Sequence, residues 1–170
     1  MKMQGRKVKG RNVEIVVFRR PLLEDGTNGN LAFKAEAVPD FKEFNRLCPM
    51  PKPPEILKAG GVRISNVKDK RFLTALDTWA SQKTAYTVLR SLQATDDLEW
   101  ETVKMDDPQT WAGWRKELED SDFVDSEIAK IIETVGIANC MDDGMLDAAR
   151  EDFLAGEARQ AELDSQTAEV

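Results

Sequence analysis

The chain is 170 residues long, 41% apolar and 32% charged, with a net charge of −7; this excludes a disordered polyelectrolyte and leaves room for one sizeable core or two small ones. No apolar run nears the roughly 20 residues that cross a bilayer, and the absence of histidine removes the commonest general base, zinc ligand and activator of a nucleophilic Ser or Cys. Charge is unevenly laid out: residues 1–95 carry 18 Lys and Arg against 9 Asp and Glu, whereas residues 96–170 carry 6 against 22.

Residues 1–11 hold Lys2, Arg6, Lys7, Lys9 and Arg11 with two glycines, which predicts a flexible basic arm. No apolar segment follows it, so a secretory signal peptide is not expected. Residues 12–18 are rich in β-branched side chains with Val13, Ile15 and Val17 on one face, and residues 31–38 alternate Leu31, Phe33, Ala35 and Ala37 against Lys34 and Glu36. Asp25-Gly26 and Asn28-Gly29 lie between them and predict a β-hairpin, because Gly and Asn accept positive φ cheaply. Pro39-Asp40 opens a short helix carrying Phe41, Phe44 and Leu47, which Pro49 stops. The prolines of residues 49–54 predict a stiff extended connector rather than a recognition motif.

Asp69 is placed to cap the longest helix, whose stripe of Phe72, Leu76, Trp79, Tyr86, Leu89 and Leu92 runs to about Thr95. A stripe at this spacing reads as core, and the helix as the organiser of the front half. In residues 98–105, Leu98, Trp100 and Thr102 alternate with Glu99, Glu101 and Val103, predicting a strand that returns to the hairpin.

In the rear half, Asp107-Pro108 predicts a helix start followed by Trp111, Trp114 and Leu118. Asp125 is expected to cap a second helix bearing Ile128, Ile131, Ile132 and Val135, and Asp143 a third bearing Leu146, Ala149, Phe153 and Leu154. Each is too short to persist alone in water, so they are expected to bury their stripes together, or against the front half, and turn carboxylates outward. The expected architecture is α+β: an N-terminal β-hairpin or small sheet packed with a long helix, then a C-terminal three-helix unit. Its divisions are a basic arm (1–11), a mixed α/β domain (12–105), an acidic three-helix domain (106–156) and a polar tail (157–170).

Familiar chemistry is missing. Asp142-Asp143-Gly144 fails as a calcium loop, since Gly144 at position six puts Met141 and Arg150 where ligands belong. Asp96-Asp97 and Asp106-Asp107 read as turns and caps rather than acid and base. There is no GxxxxGK[ST], GxGxxG or GxSxG, and the Gly60-Gly61 pair does not make a phosphate cradle. Cys48 and Cys140 lie far apart outside any CxxC spacing and read as free thiols of a cytoplasmic protein. The basic arm with Arg19 and Arg20 could meet phosphates, but it has no aromatic to stack bases and the acidic rear half would repel a polyanion. The chain is therefore expected to be non-enzymatic, without metal, cofactor, membrane or nucleic-acid partner.

Through Asp107-Pro108-Gln109-Thr110-Trp111, Trp114, Glu117-Leu118, Phe123, Glu127-Ile128, Ile132, Asn139, Leu146, Ala149-Arg150 and Phe153-Leu154, the rear half resembles bacteriophage tail assembly chaperones. The front half lies outside this resemblance. It implies a non-structural phage protein of the bacterial cytoplasm that binds the tape measure protein, and in some cases tail tube subunits, before the tail polymerises. On that reading Trp79, Trp111, Trp114 and Phe123 are the candidate partner-binding residues. The alternative is a structural virion component, such as a head-tail connector or minor tail protein, whose basic arm orders on assembly.

Overall fold

A computed structural model describes residues 2–3, 6–7, 10–20, 29–57, 61–140 and 144, and its elements make an α+β fold. Within the basic arm, β1 (Lys2–Met3) pairs antiparallel with β2 (Arg6–Lys7). The predicted hairpin is β3 (Val13–Arg20) and β4 (Gly29–Glu36), paired without a register break from Val13 opposite Glu36 to Arg20 opposite Gly29.

The hairpin's apolar phase differs from the sequence expectation. Val13, Ile15 and Val17 do share a face, but it is the exposed one, while Val16 and Phe18 turn inward. Directly opposed residues lie on the same face. Val16 therefore goes with Phe33, Phe18 with Leu31 and Glu14 with Ala35, whereas Val13, Ile15 and Val17 share their face with Glu36, Lys34 and Ala32; turning the first face inward buries Phe18 and Phe33 and leaves the charges of Lys34 and Glu36 on the other face.

Asp40 Oδ1 accepts the N–H of Lys42 at 2.9 Å at the start of α1 (Lys42–Leu47). Past the proline connector, β5 (Glu55–Leu57) and β6 (Arg63–Ser65) form a short exposed hairpin in a stretch for which the sequence predicts no element. Gly61 sits just before β6 with φ +77°, a conformation L side chains rarely adopt.

Helix α2 (Lys70–Leu92) starts where expected: Asp69 Oδ1 accepts the N–H groups of Arg71 and Phe72 at 2.9 and 3.0 Å. Only its second half is wrapped on several sides, with Ala85 to Leu89 all buried.

Residues 98–105 are not a strand. Their amides are met by side chains instead of a ladder: Glu117 accepts from Glu101 N–H and Thr102 N–H, and Thr110 Oγ1 accepts from Lys104 N–H. Val103, expected on the polar face, is buried. Asp107 caps a turn rather than a helix, accepting from Gln109 N–H at 3.0 Å. Helical structure begins later, as a 3-10 turn at Trp111–Gly113 that runs into α3 (Trp114–Asp120). Helix α4 (Asp125–Ala138) has Val124 at its N-cap, whose N–H is held by Glu127; Asp125, expected as the cap, instead binds Arg115 at 2.6 Å. The third rear helix and the polar tail lie outside the described residues, as do Asp25-Gly26, Asn28 and the side chain of Arg20.

Front and rear share one core, in which Phe44, Tyr86 and Leu89 pack with Trp111, Ile128 and Ile131. The core thus continues across the boundary expected between residues 105 and 106, while the change in charge falls ten residues earlier. Ion pairs within each half include Arg11 with Glu36 in the front and Arg115 with Glu119 and Asp125 in the rear. Apolar faces and a few hydrogen bonds join the halves.

Candidate functional site

Two grooves flank this core. The first lies between α2 and α4 and has a volume of about 560 Å³. On α4, Ile128, Ile131, Val135 and Ala138 recur at helical spacing and are buried, which leaves Ile132 and Gly136 on the neighbouring stripe facing the groove. Ile132 is 38% exposed. At Gly136 an added Cβ would meet nothing within 4 Å, so the groove wall is open there.

The α2 wall is more apolar than its sequence suggests. Thr84 and Thr87 donate their hydroxyls to the carbonyls of Ala80 and Lys83 one turn back, at 3.1 and 2.9 Å, and so offer methyl groups to the groove. Trp79 stands at the edge, its Nε1 donating to Cys48 O at 3.0 Å and its ring 5.6 Å from that of Phe44. Lys83 Nζ lies 4.9 Å from the Phe41 ring centre and 5.4 Å from that of Trp79, close enough for both aromatic faces to hold the cation. Val38 and Asn139 also line the groove.

The second groove, of about 570 Å³, runs between β4, residues 95–100 and α3. Leu31, Phe33, Leu98, Trp100, Leu118 and Phe123 make it apolar, while Asp96, Asp97, Glu99 and Glu117 make its rim acidic. Phe123 is placed by the end of α3: Asp122, with φ +63°, bonds back to Glu119 and Phe123 N–H bonds to Leu118 O at 3.1 Å. This is the Schellman ending, in which the residue after the left-handed one packs on the last turn. Phe123 completes an edge-to-face trio with Phe18 and Phe33 at 5.9 and 5.4 Å.

The four candidate aromatics therefore separate. Trp111 is fully buried, 5.2 Å from Tyr86 and donating to Lys104 O at 2.9 Å, and Trp114 is 9% exposed; both are in the core and line neither groove. Trp79 and Phe123 each line a groove. Ile132, Gly136 and Lys83 are groove residues that sequence reasoning missed, although Gly136 inside a helical pattern was the available signal.

Glu117 is the most engaged carboxylate of the second groove. Burial pushes its pKa up, but hydrogen bonds from the Thr102 hydroxyl and from backbone N–H groups of residues 101–103 outweigh this and hold it below its ordinary value. Asp96-Asp97 and Asp106-Asp107 lie in turns. Among the described residues no group of three or more Cys, Asp or Glu is placed to hold a metal, and no helix is long and apolar enough to cross a membrane.

These features define an α+β protein with two apolar grooves on one core. Against protein-family models, curated proteins and solved structures alike, the chain has no match.

Proposed function

We propose that the protein is a non-enzymatic bacteriophage tail assembly chaperone, working in the host cytoplasm, that holds an apolar helix of the tape measure protein until the tail polymerises. The α2–α4 groove carries this reading. It is lined by Trp79, Ile132 and Val135, it has small residues at Ala80 and Gly136, and Lys83 stands ready for a carboxylate on the polar side of the incoming helix. A cleft of this kind takes an amphipathic helix by its apolar stripe. The 22 carboxylates of residues 96–170 keep such a carrier soluble while it shields a client.

Co-expression with the tape measure protein and with the tail tube protein tests this. A soluble complex with the tape measure protein is expected, lost in Gly136→Leu, which fills the groove at a position with free space. If neither protein co-purifies, the chaperone reading falls. Recovery of the protein from purified particles by mass spectrometry would instead favour the structural virion component, because a chaperone leaves before maturation.

A further inference from the structure

The hairpin leaves one sheet edge open. Ala37 donates its N–H to Asn12 O at 2.9 Å, which makes Asn12 and Ala37 a hydrogen-bonded pair. Bonded and non-bonded pairs alternate along an antiparallel ladder. Glu14, Val16 and Phe18 therefore bond toward β4, and Val13, Ile15, Val17 and Arg19 direct their N–H and C=O groups away from it. The opposite strand agrees: Lys34, across from Ile15, turns its N–H and C=O outward, and both meet the Thr95 hydroxyl at 2.9 and 3.0 Å. Farther along, Val38 N–H is taken by Asn139 Oδ1 at 2.8 Å. The β4 side is thus met by side chains at Lys34 and, just beyond the strand, at Val38, whereas among the described residues β3 has no strand on its outer side.

Among the described residues no other strand pairs with that edge. From Val13 to Phe18 it has no proline and no register break, and Val13, Ile15 and Val17 are 38%, 61% and 56% exposed. A long, flat, apolar edge is a template for another strand.

We infer that β3 pairs antiparallel with β3 of a second copy about a two-fold axis at Val16, joining two hairpins into one four-stranded sheet. In this register Val13 meets Arg19 of the second copy and Ile15 meets its Val17, so every outward-directed residue is matched and about eight backbone hydrogen bonds form. One row across the exposed face then runs Lys34, Ile15, and Val17 and Ala32 of the second copy, apolar at the seam and charged at the margin. The next runs Asn30, Arg19, and Val13 and Glu36 of the second copy, which aims the guanidinium past a small side chain at a carboxylate that Arg11 of that copy already holds at 3.2 Å. Neighbouring registers are worse. Sliding by two residues one way opposes Arg19 to Arg11, and the other way opposes Val13 to Pro21, which has no N–H to give.

Sedimentation of the full chain over a range of concentrations tests this, combined with amide hydrogen exchange. A reversible dimer is expected, with slow exchange at Ile15 and Val17 as well as at the inward Val16 and Phe18. Ile15→Lys and Val17→Lys should weaken the dimer about tenfold or more and free the outward amides, while the inward ones stay slow and report an intact hairpin. Arg19→Glu, at an exposed position, should weaken it in the same direction. A chain that sediments as a monomer throughout overturns the proposal. So does a dimer whose Ile15 and Val17 amides exchange freely, or protection that appears only with tape measure protein present, which would give the edge to the client.

Discussion

Asn139, at the end of α4, donates its side-chain amide to the buried hydroxyl of Ser91 on α2 at 2.8 Å and accepts the N–H of Val38 beyond β4 at the same distance. Its Nδ2 also reaches Val135 O, so an unambiguous donor and an unambiguous acceptor fix which way the amide points. Asn12 makes the matching fastening, giving its Nδ2 to the last carbonyls of α4, Ile137 and Ala138, at 3.2 and 3.3 Å. Two asparagines thus tie the acidic rear half to the basic front half.

Asn139→Leu should cost about 1–3 kcal/mol, because a part-buried N–H and a buried hydroxyl lose their partner together. Ser91→Ala should cost less, since Asn139 keeps its other two bonds. Urea denaturation of the two variants checks the order, and equal losses would remove Asn139 from this role.

Glu117 should give stability a pH dependence. A folded pKa below the ordinary 4.5 means that the unfolded chain binds its proton first as pH falls. Its contribution is full above the ordinary value and is lost as pH drops through that value toward the folded one. The stability gap between the native chain and Glu117→Gln should therefore narrow below about pH 4.5 and stay constant from there to neutrality. A gap that widens on acidification would contradict the hydrogen bonds assigned to Glu101 and Thr102.

Gly136→Ala should stabilise the protein by about 1 kcal/mol, since Gly136 is inside α4 and its added Cβ meets nothing within 4 Å. Thermal melts read this directly. Gly136→Leu extends from the same open Cβ position, and its melt checks that the fold is kept when the groove is blocked.

The two thiols should differ in reactivity. Cys140 is exposed, while Cys48 is buried and burial raises its pKa. Ellman's reagent should modify one thiol per chain quickly and the second only as the protein opens. Replacing Cys140 with Ser should remove the fast phase, and two equally fast thiols would show Cys48 to be accessible.

Local signals in the sequence were enough for the elements that close on themselves. Asp69 reaches only its own second and third neighbours, so the start of α2 was legible, and Pro49 ends α1 whatever surrounds it. The α+β class and the hairpin also follow from period and turn residues alone. The β5–β6 hairpin escaped because its strands are three residues each, too short for alternation to register.

What required tertiary structure was every choice between two equivalent faces or partners. Period two says that Val13, Ile15 and Val17 lie together, but only the opposed Leu31, Phe33 and Ala35 decide that they lie outside. Residues 98–105 alternate like a strand, yet the carboxylate of Glu117 took the amides a neighbouring strand would have used. Trp111 and Trp79 both sit on apolar stripes, and their separation into core and groove rim depends on what α2 packs against along its length. The sequence by itself determined the periods, the caps and the division of charge, because these are set by the nearest few residues. Which face is buried, which sheet edge stays open and where two helices leave a groove depend on contacts between residues distant in the chain, and only the folded chain brings those together.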